Sequence, residues 1–353
     1  MKASELTRNE RSILTRARNA MTIYMAQFSN GIPKEYMTVD ELGQFVVSGF
    51  FDRNRVKGIG KKGIRFLKEY FTQEIEIGGQ SMTEKEYNEA EGVRRSDLWK
   101  MNDSPEKYKW YTEHPVEQTP ALVFGSACHK MILEPAGFGD EYAVAPVCDR
   151  RTSDGKLMWK TFMEENEGKT IVSADDAAVM KDMEEALERC SLANDLIRGE
   201  GTTEQPFFWT DADTGEKCKV KLDRLIKGLD GKFYVVDYKT SQCAETESFN
   251  RSMLKFGYTL QAAMYTEAVM IGYHLPYRPG FIFVVQEKKA PYSINIVQVS
   301  PEVMDYGVKQ FRTLIGKLHT CKELDEWPGY LPIGGGYNWT DLPAWADMDE
   351  EEE

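Results

Sequence analysis

Residues 217–239 read KCKVKLDRLIKGLDGKFYVVDYK. Two apolar-rich runs, Lys217 to Ile226 and Phe233 to Tyr238, flank Leu229-Asp230-Gly231, and an Asp-Gly pair between such runs signals a β-hairpin. The second run is followed directly by charge, at Asp237 and Lys239. Two charges at the end of a buried strand are costly unless they pair or bind a metal. Asp223 stands in the same position on the preceding strand, after Val220 and Leu222. In an antiparallel hairpin the two carboxylates can fall side by side, where they repel, and a divalent cation is the usual remedy. Oxygen ligands favour magnesium or manganese over zinc. The alternative is a purely structural salt bridge between Asp237 and Lys239.

The same Asp-x-Lys spacing recurs at Asp154-Gly155-Lys156 and Asp230-Gly231-Lys232. Both have a central glycine in turn-like sequence and read as solvated loops. Just upstream of the hairpin, Phe207 to Thr210 is a further strand, joined to it by Asp213-Thr214-Gly215 and opened by Glu204. Downstream, the pattern predicts a helix over 248–271, strands over 281–286 and 293–299, and a helix over 301–322. Gln261 and Tyr265 lie four apart and so share one face of the first of these helices. Upstream come a charged amphipathic helix over 174–198, a helix over 121–133 carrying Gly125-Ser126-Ala127-Cys128-His129, and short helices and loops over 82–115. Taken singly, His129 reads as a packed core histidine, Glu204 as a surface residue and the Gln–Tyr pair as ordinary. The order of elements is that of a mixed α/β (α+β) domain.

Composition excludes several classes. With 353 residues, 41% hydrophobic, and 17 Phe, 17 Tyr and 7 Trp, most of the chain can bury a core. No apolar run approaches the ~18 residues of a membrane span, and the opening MKASELTRNERSILTRARNA has no apolar leader segment. The six cysteines form no Cys-x-x-Cys pair, which argues against a zinc ribbon or disulfide scaffold and suits a reducing cytoplasm. The net charge is −13, yet the first 80 residues hold 13 Lys and Arg against nine Asp and Glu. Arg53, Arg55, Lys57, Lys61, Lys62, Arg65 and Lys68 make a local basic patch around Gly58-Ile59-Gly60-Lys61-Lys62-Gly63. Residues 347–353, DMDEEEE, read as a solvated acidic tail.

Taken together and in order, Gly125…His129, Glu204, Asp223, Asp237…Lys239 and Gln261…Tyr265 resemble the PD-(D/E)xK nucleases of the RecB-like branch. Further stretches resemble the RecE-like exonucleases (exonuclease VIII and phage relatives) within that branch. They are Met82 to Tyr87, Ser104 to Tyr108, Gly125 to Pro135, Trp327-Pro328-Gly329-Tyr330 and Leu342-Pro343-Ala344-Trp345.

The resemblance implies a restriction-endonuclease-like core, a central mixed sheet flanked by helices, over residues 79–346. It also implies Mg²⁺, or Mn²⁺, held by Asp223, Asp237, His129 and Glu204. Lys239 would position or deprotonate the attacking water, Gln261 and Tyr265 would line a DNA channel, and Lys221 would touch the scissile phosphate or remain a surface lysine. No downstream cysteine cluster exists for the iron–sulfur centre of some relatives. The implied activity is 5′→3′ resection of linear duplex DNA in a bacterial cytoplasm, by a ring-shaped homo-oligomer that hands 3′ strands to a RecT-like annealing protein. An endonuclease or flap-type enzyme on the same fold, or a non-catalytic DNA-binding scaffold, stays open.

Residues 1–78 lie outside the resemblance. Their glycine turn looks like a helix–hairpin–helix element, in which Lys61 and Lys62 would meet DNA phosphate. The alternative is a helical hairpin for partner contacts.

Overall fold

The computed structural model describes residues 15–17, 59, 61–64, 82–114, 119–331, 336–338 and 340. Most of residues 1–78, including most of the basic patch, lie outside the described residues, as do residues 342–345 and the acidic tail. Lys61 and Lys62 are exposed in a helical stretch over 61–64.

The centre is a five-stranded sheet in the order β3-β4-β5-β6-β7. Its strands are β3 (Thr202–Thr210), β4 (Lys217–Lys227), β5 (Phe233–Ser241), β6 (Gly280–Glu287) and β7 (Ile294–Gln298). Strands β3, β4 and β5 run antiparallel, β6 is parallel to β5, and β7 is antiparallel to β6. The two tight connections are those expected. Asp211 closes the first, accepting the Thr214 N–H at 3.0 Å, with Gly215 at φ 75°. Asp230 closes the second through the Lys232 N–H at 3.0 Å, with Gly231 at φ 76°. Both glycines take a left-handed conformation that a side chain disfavours.

Parallel pairing of β5 with β6 requires a crossover, and α9 (Thr246–Lys255) and α10 (Tyr258–Gly272) provide it. The sequence pattern runs through residues 248–271 without a break, but the structure divides them at Phe256-Gly257. Gly257 sits at φ 67°, and a Cβ there would come within 2.4 Å of the Trp99 ring. The glycine thus ends one helix and lets α10 start against Trp99 of α2 (Arg95–Asp103). The amphipathic stretch 174–198 is likewise two helices, α7 (Ala174–Arg189) and α8 (Ser191–Arg198), broken at extended Cys190.

Each face of the sheet carries its own apolar layer. On one side α2, α10 and α11 (Pro301–Leu324) pack through Leu98, Met101, Leu260, Met264 and Phe311 onto Val220, Leu222, Val235, Phe281 and Phe283. On the other, α4 (Pro120–Leu133), α7 and α8 pack through Ala127, Cys128, Ile132, Met183 and Leu196 onto Val236, Tyr238 and Val284. This three-layer arrangement is the mixed α/β class expected from the order of elements.

Smaller elements complete the described chain. They are α1 (Glu84–Glu89), α3 (Pro105–Glu113), a 3₁₀ turn (Pro135–Gly137), α5 (Phe138–Glu141), α6 (Ser153–Glu165) and a two-stranded parallel sheet of β1 (Tyr142–Val144) and β2 (Thr170–Val172). One local expectation needs correction. Asp154-Gly155-Lys156 is the start of α6, capped by Thr152, because the buried Gly155 packs on the Asp149 carbonyl where a side chain would not fit. Trp327 and Pro328 dock onto α3, with Trp327 stacked on Tyr108 and the Pro328 carbonyl accepting the Glu106 N–H. No described helix is long and apolar enough to cross a membrane.

Candidate active site

Pairing between β4 and β5 runs from Lys227↔Phe233 up to Arg224↔Val236. The next register pair would be Asp223 with Asp237. There the ladder gives way, and Asp223 Oδ2 accepts the Tyr238 N–H at 2.8 Å. A side-chain carboxylate has replaced the backbone carbonyl as acceptor, so the buried N–H stays satisfied while the strands part. Beyond this point β4 continues with β3 and β5 with β6.

The two carboxylates look to different helices. On α4, apolar packing of Phe124, Ala127, Cys128 and Ile132 sets the rotation of the helix, and His129, beside that stripe, faces Asp223. His129 Nε2 lies 2.7 Å from Asp223 Oδ2, and its Nδ1 lies 3.5 Å from Glu204 Oε1. At Gly125, one turn before His129, a Cβ would meet no atom within 4 Å, so packing does not demand that glycine. Asp237 is fully buried and is held from α10, where Gln261 Nε2 donates to its Oδ1. Lys239 Nζ stands 2.5 Å from Asp237 Oδ2, outside hydrogen-bond geometry, and 4.9 Å from the centre of the Tyr258 ring.

Glu204 enters from β3 by an unusual route. Its φ is +51°, and the paired residues on either side are Thr203↔Arg224 and Gln205↔Leu222. A non-glycine residue in this region is strained, and such strain clusters at functional positions. The consequence is that Glu204 meets both His129 and Lys221, whose Nζ is 2.6 Å from Glu204 Oε2. Lys221 also pairs with Glu84 of α1. The expected phosphate contact is thereby engaged by two carboxylates.

Three neighbouring carboxylates, Asp223 and Asp237 buried and Glu204 partly buried, shift one another. Burial raises the Asp237 carboxyl to about 6, and the neighbouring Asp223 charge adds to the rise against the opposing pull of Lys239. Burial, and then Asp223, also raise Glu204. Asp223 goes the other way. Burial would raise it, but the His129 charge and hydrogen bond, Lys239 and the Tyr238 N–H together lower it. For Lys239, burial opposes the charge, but Asp237 and Asp223 outweigh it and hold the group as an ammonium.

The ligand atoms of His129, Glu204 and Asp223 lie within 4.8 Å of one another. One imidazole nitrogen and two carboxylates make a donor set for a hard divalent cation. The cluster also carries charge that such an ion would offset, so the residues fit a metal centre. Asp237 is not in this group; its contacts are Lys239 and Gln261.

Gln261 is buried and spends its amide on Asp237 rather than facing solvent, while Tyr265 is half-buried and packs against Phe281. Two site residues were not legible in the sequence. Glu84 lies in the Met82–Tyr87 stretch, which assigns it no role, and Arg95 has no motif around it; both reach the site only because α1 and α2 pack beside β4 and α10.

Two solved structures resemble part of the chain. One is a protein from Eubacterium rectale provisionally described as an exonuclease. It has 15% identity and a TM-score of 0.47, over 70% of this chain and 88% of that one. The other is SSO0001, with 13% identity and a TM-score of 0.26, over 59% of this chain and 81% of that one. No curated protein matched the sequence. The family model described as a PDDEXK-like domain of unknown function, DUF3799, matches residues 95–334. That span runs from α2 to beyond α11 and includes His129, Glu204, Asp223, Asp237 and Lys239, and on this match the chain belongs to the PDDEXK-like family DUF3799.

Proposed function

We propose that the chain is a metal-dependent deoxyribonuclease that hydrolyses phosphodiester bonds. The observation that carries this is the convergence of His129, Glu204 and Asp223 on one point, beside the buried Asp237–Lys239 pair where β4 and β5 part. His129, Glu204 and Asp223 would hold a divalent cation, with Asp237 as a further ligand. Bound there, Mg²⁺ or Mn²⁺ would supply Lewis acidity toward a phosphoryl oxygen and a nucleophile at neutral pH.

The remaining roles belong to the chain itself. Lys239, kept as an ammonium by Asp237, donates to a water or phosphate oxygen and offsets charge that grows on the phosphoryl group. While that pair holds, Lys239 orients water rather than removing its proton. Gln261 fixes the Asp237 carboxylate from the opposite side. Lys221, between Glu84 and Glu204, holds Glu204 at the cluster.

In its fuller form the proposal is an exonuclease on linear duplex DNA. It would cut 5′→3′, act as a ring-shaped oligomer and supply 3′ strands to an annealing protein in a bacterial cytoplasm. The order of the motif elements along the chain and their resemblance to RecE-like exonucleases support this form.

The test is digestion of linear duplex labelled at one end or the other, beside closed circular duplex, with Mg²⁺ and with EDTA. Release of 5′ label from linear DNA alone, only with Mg²⁺, is the expected result. Cutting of the circle would make the enzyme an endonuclease. No cutting of any DNA would overturn the assignment.

A further inference from the structure

The cations whose charge bears on the site are His129, Lys221, Lys239 and Arg95. The first three are each committed to carboxylates. His129 lies against Asp223 and Glu204, Lys221 against Glu204 and Glu84, and Lys239 against Asp237. Arg95 is different. It opens α2, and its guanidinium donates to the Phe256 carbonyl at 3.1 Å and to Gln261 Oε1 at 3.4 Å, both neutral oxygens. Its centre lies 5.9 Å from the Tyr258 ring centroid. Among the described residues it makes no ion pair, whereas its neighbour Arg94 is paired with Asp97 at 2.9 Å.

The position of Arg95 matters as much as its lack of an anion. It is half-exposed, and its charge is felt at Lys239, which it disfavours as an ammonium. Lys239 and Arg95 lie over the same Tyr258 ring, at 4.9 and 5.9 Å. Two cations on one ring, one without an anionic partner, leave positive charge at the edge of the site. A guanidinium presents a planar fork of five donors that matches a phosphate, and two bonds to neutral oxygens leave the other donors available.

Resting on the nuclease reading, we propose that Arg95 binds a backbone phosphate of the DNA strand on the Lys239 side of the site. Its contact with Gln261, which in turn holds Asp237, places phosphate binding and carboxylate orientation on one hydrogen-bonded path. Lys221, with both neighbouring carboxylates on it, does not make this contact.

The experiment measures binding of a short fluorescent linear duplex to the full chain in EDTA by anisotropy, over a range of salt. It compares the wild type with Arg95→Gln and Arg95→Lys. Gln keeps amide donors for the Phe256 carbonyl and removes the charge, so folding is the less disturbed, and thermal melting checks it. The expected result is about tenfold weaker binding for Arg95→Gln, with the slope of log K against log salt shallower by about 0.9, one phosphate contact. Arg95→Lys is expected to restore the slope. An unchanged slope and affinity in Arg95→Gln, with cleavage reduced, would make Arg95 a positioning residue for Gln261 and overturn the phosphate contact. Cleavage by the wild type with Mg²⁺ is measured alongside. If the wild type cuts and the Arg95→Gln slope is unchanged, the Arg95 proposal alone fails. If the wild type neither binds nor cuts DNA, the nuclease reading fails with it.

Discussion

Gln261 donates its side-chain amide to Asp237 from α10, opposite the Lys239 ammonium at 2.5 Å on β5. The carboxylate is gripped from both sides, and it is fully buried. A buried acid so held has one orientation, which is what a charged group needs if it is to act on a substrate rather than merely satisfy its neighbours.

Asp237→Ala is expected to abolish Mg²⁺-dependent cleavage while duplex binding in EDTA survives, because one carboxylate is lost and the surface cations remain. Asp154→Ala and Asp230→Ala are expected to cleave normally, since Asp154 starts an exposed helix and Asp230 closes a turn. Loss of activity in either control would mean that the wrong Asp-x-Lys had been chosen.

Lys239→Ala is expected to retain divalent cation binding by calorimetry, or to bind more tightly, because an ammonium repels a cation. Cleavage should fall by about 10²–10⁴ through loss of an oriented donor. If instead the pair with Asp237 is only structural, the variant should melt well below wild type, since an unpaired buried charge costs about 3–5 kcal/mol. A destabilised variant that still cuts at low temperature would remove Lys239 from the chemistry.

The pH dependence follows from Asp237. Its carboxyl is raised from 3.8 to about 6 in the fold. A raised carboxyl binds its proton more tightly in the folded state, so its contribution to stability is complete below about pH 4 and is lost as pH rises toward 6. In EDTA the melting temperature should therefore decline between pH 4 and 6.5, and Asp237→Asn should flatten that decline. Affinity for Mg²⁺ should rise over the same interval, as protons leave the carboxylates. A metal-free melting temperature that rises across this interval, with Asp237→Asn unchanged in slope, would contradict the assignment.

Gly257→Ala tests the joint between the crossover helices. The left-handed backbone at φ 67° and the nearby Trp99 ring both oppose a Cβ. A loss of about 3 kcal/mol in stability is expected by chemical denaturation. Because α10 carries Gln261, cleavage should drop even at temperatures where the variant stays folded. A variant as stable as wild type would mean that Trp99 moves aside without cost.

Much of this was legible in the linear chain. The strands came from apolar runs, the succession of the first three from two Asp/Gly turns, and the Asp223–Asp237 neighbourhood from hairpin register, all of which are local or nearly local properties. The identity of the acids, the Asp-x-Lys spacing and the order of the five motif elements are also fully present in the sequence. The breaks at Cys190 and Gly257 were not, since apolar periodicity continues through both.

What the chain could not show by itself is which partner each charge takes. Residues 129 and 223, 84 and 221, and 95 and 261 are far apart in sequence and meet only when three layers close. Lys221 looked free for a phosphate and is bound to two carboxylates. Gln261 looked like a channel wall and is buried against Asp237, while Arg95 had no signal at all. Secondary structure follows from propensity and period over a few residues. The pairing of charges depends on distances and desolvation across the whole fold, and these are set only when the sheet and its helices have packed.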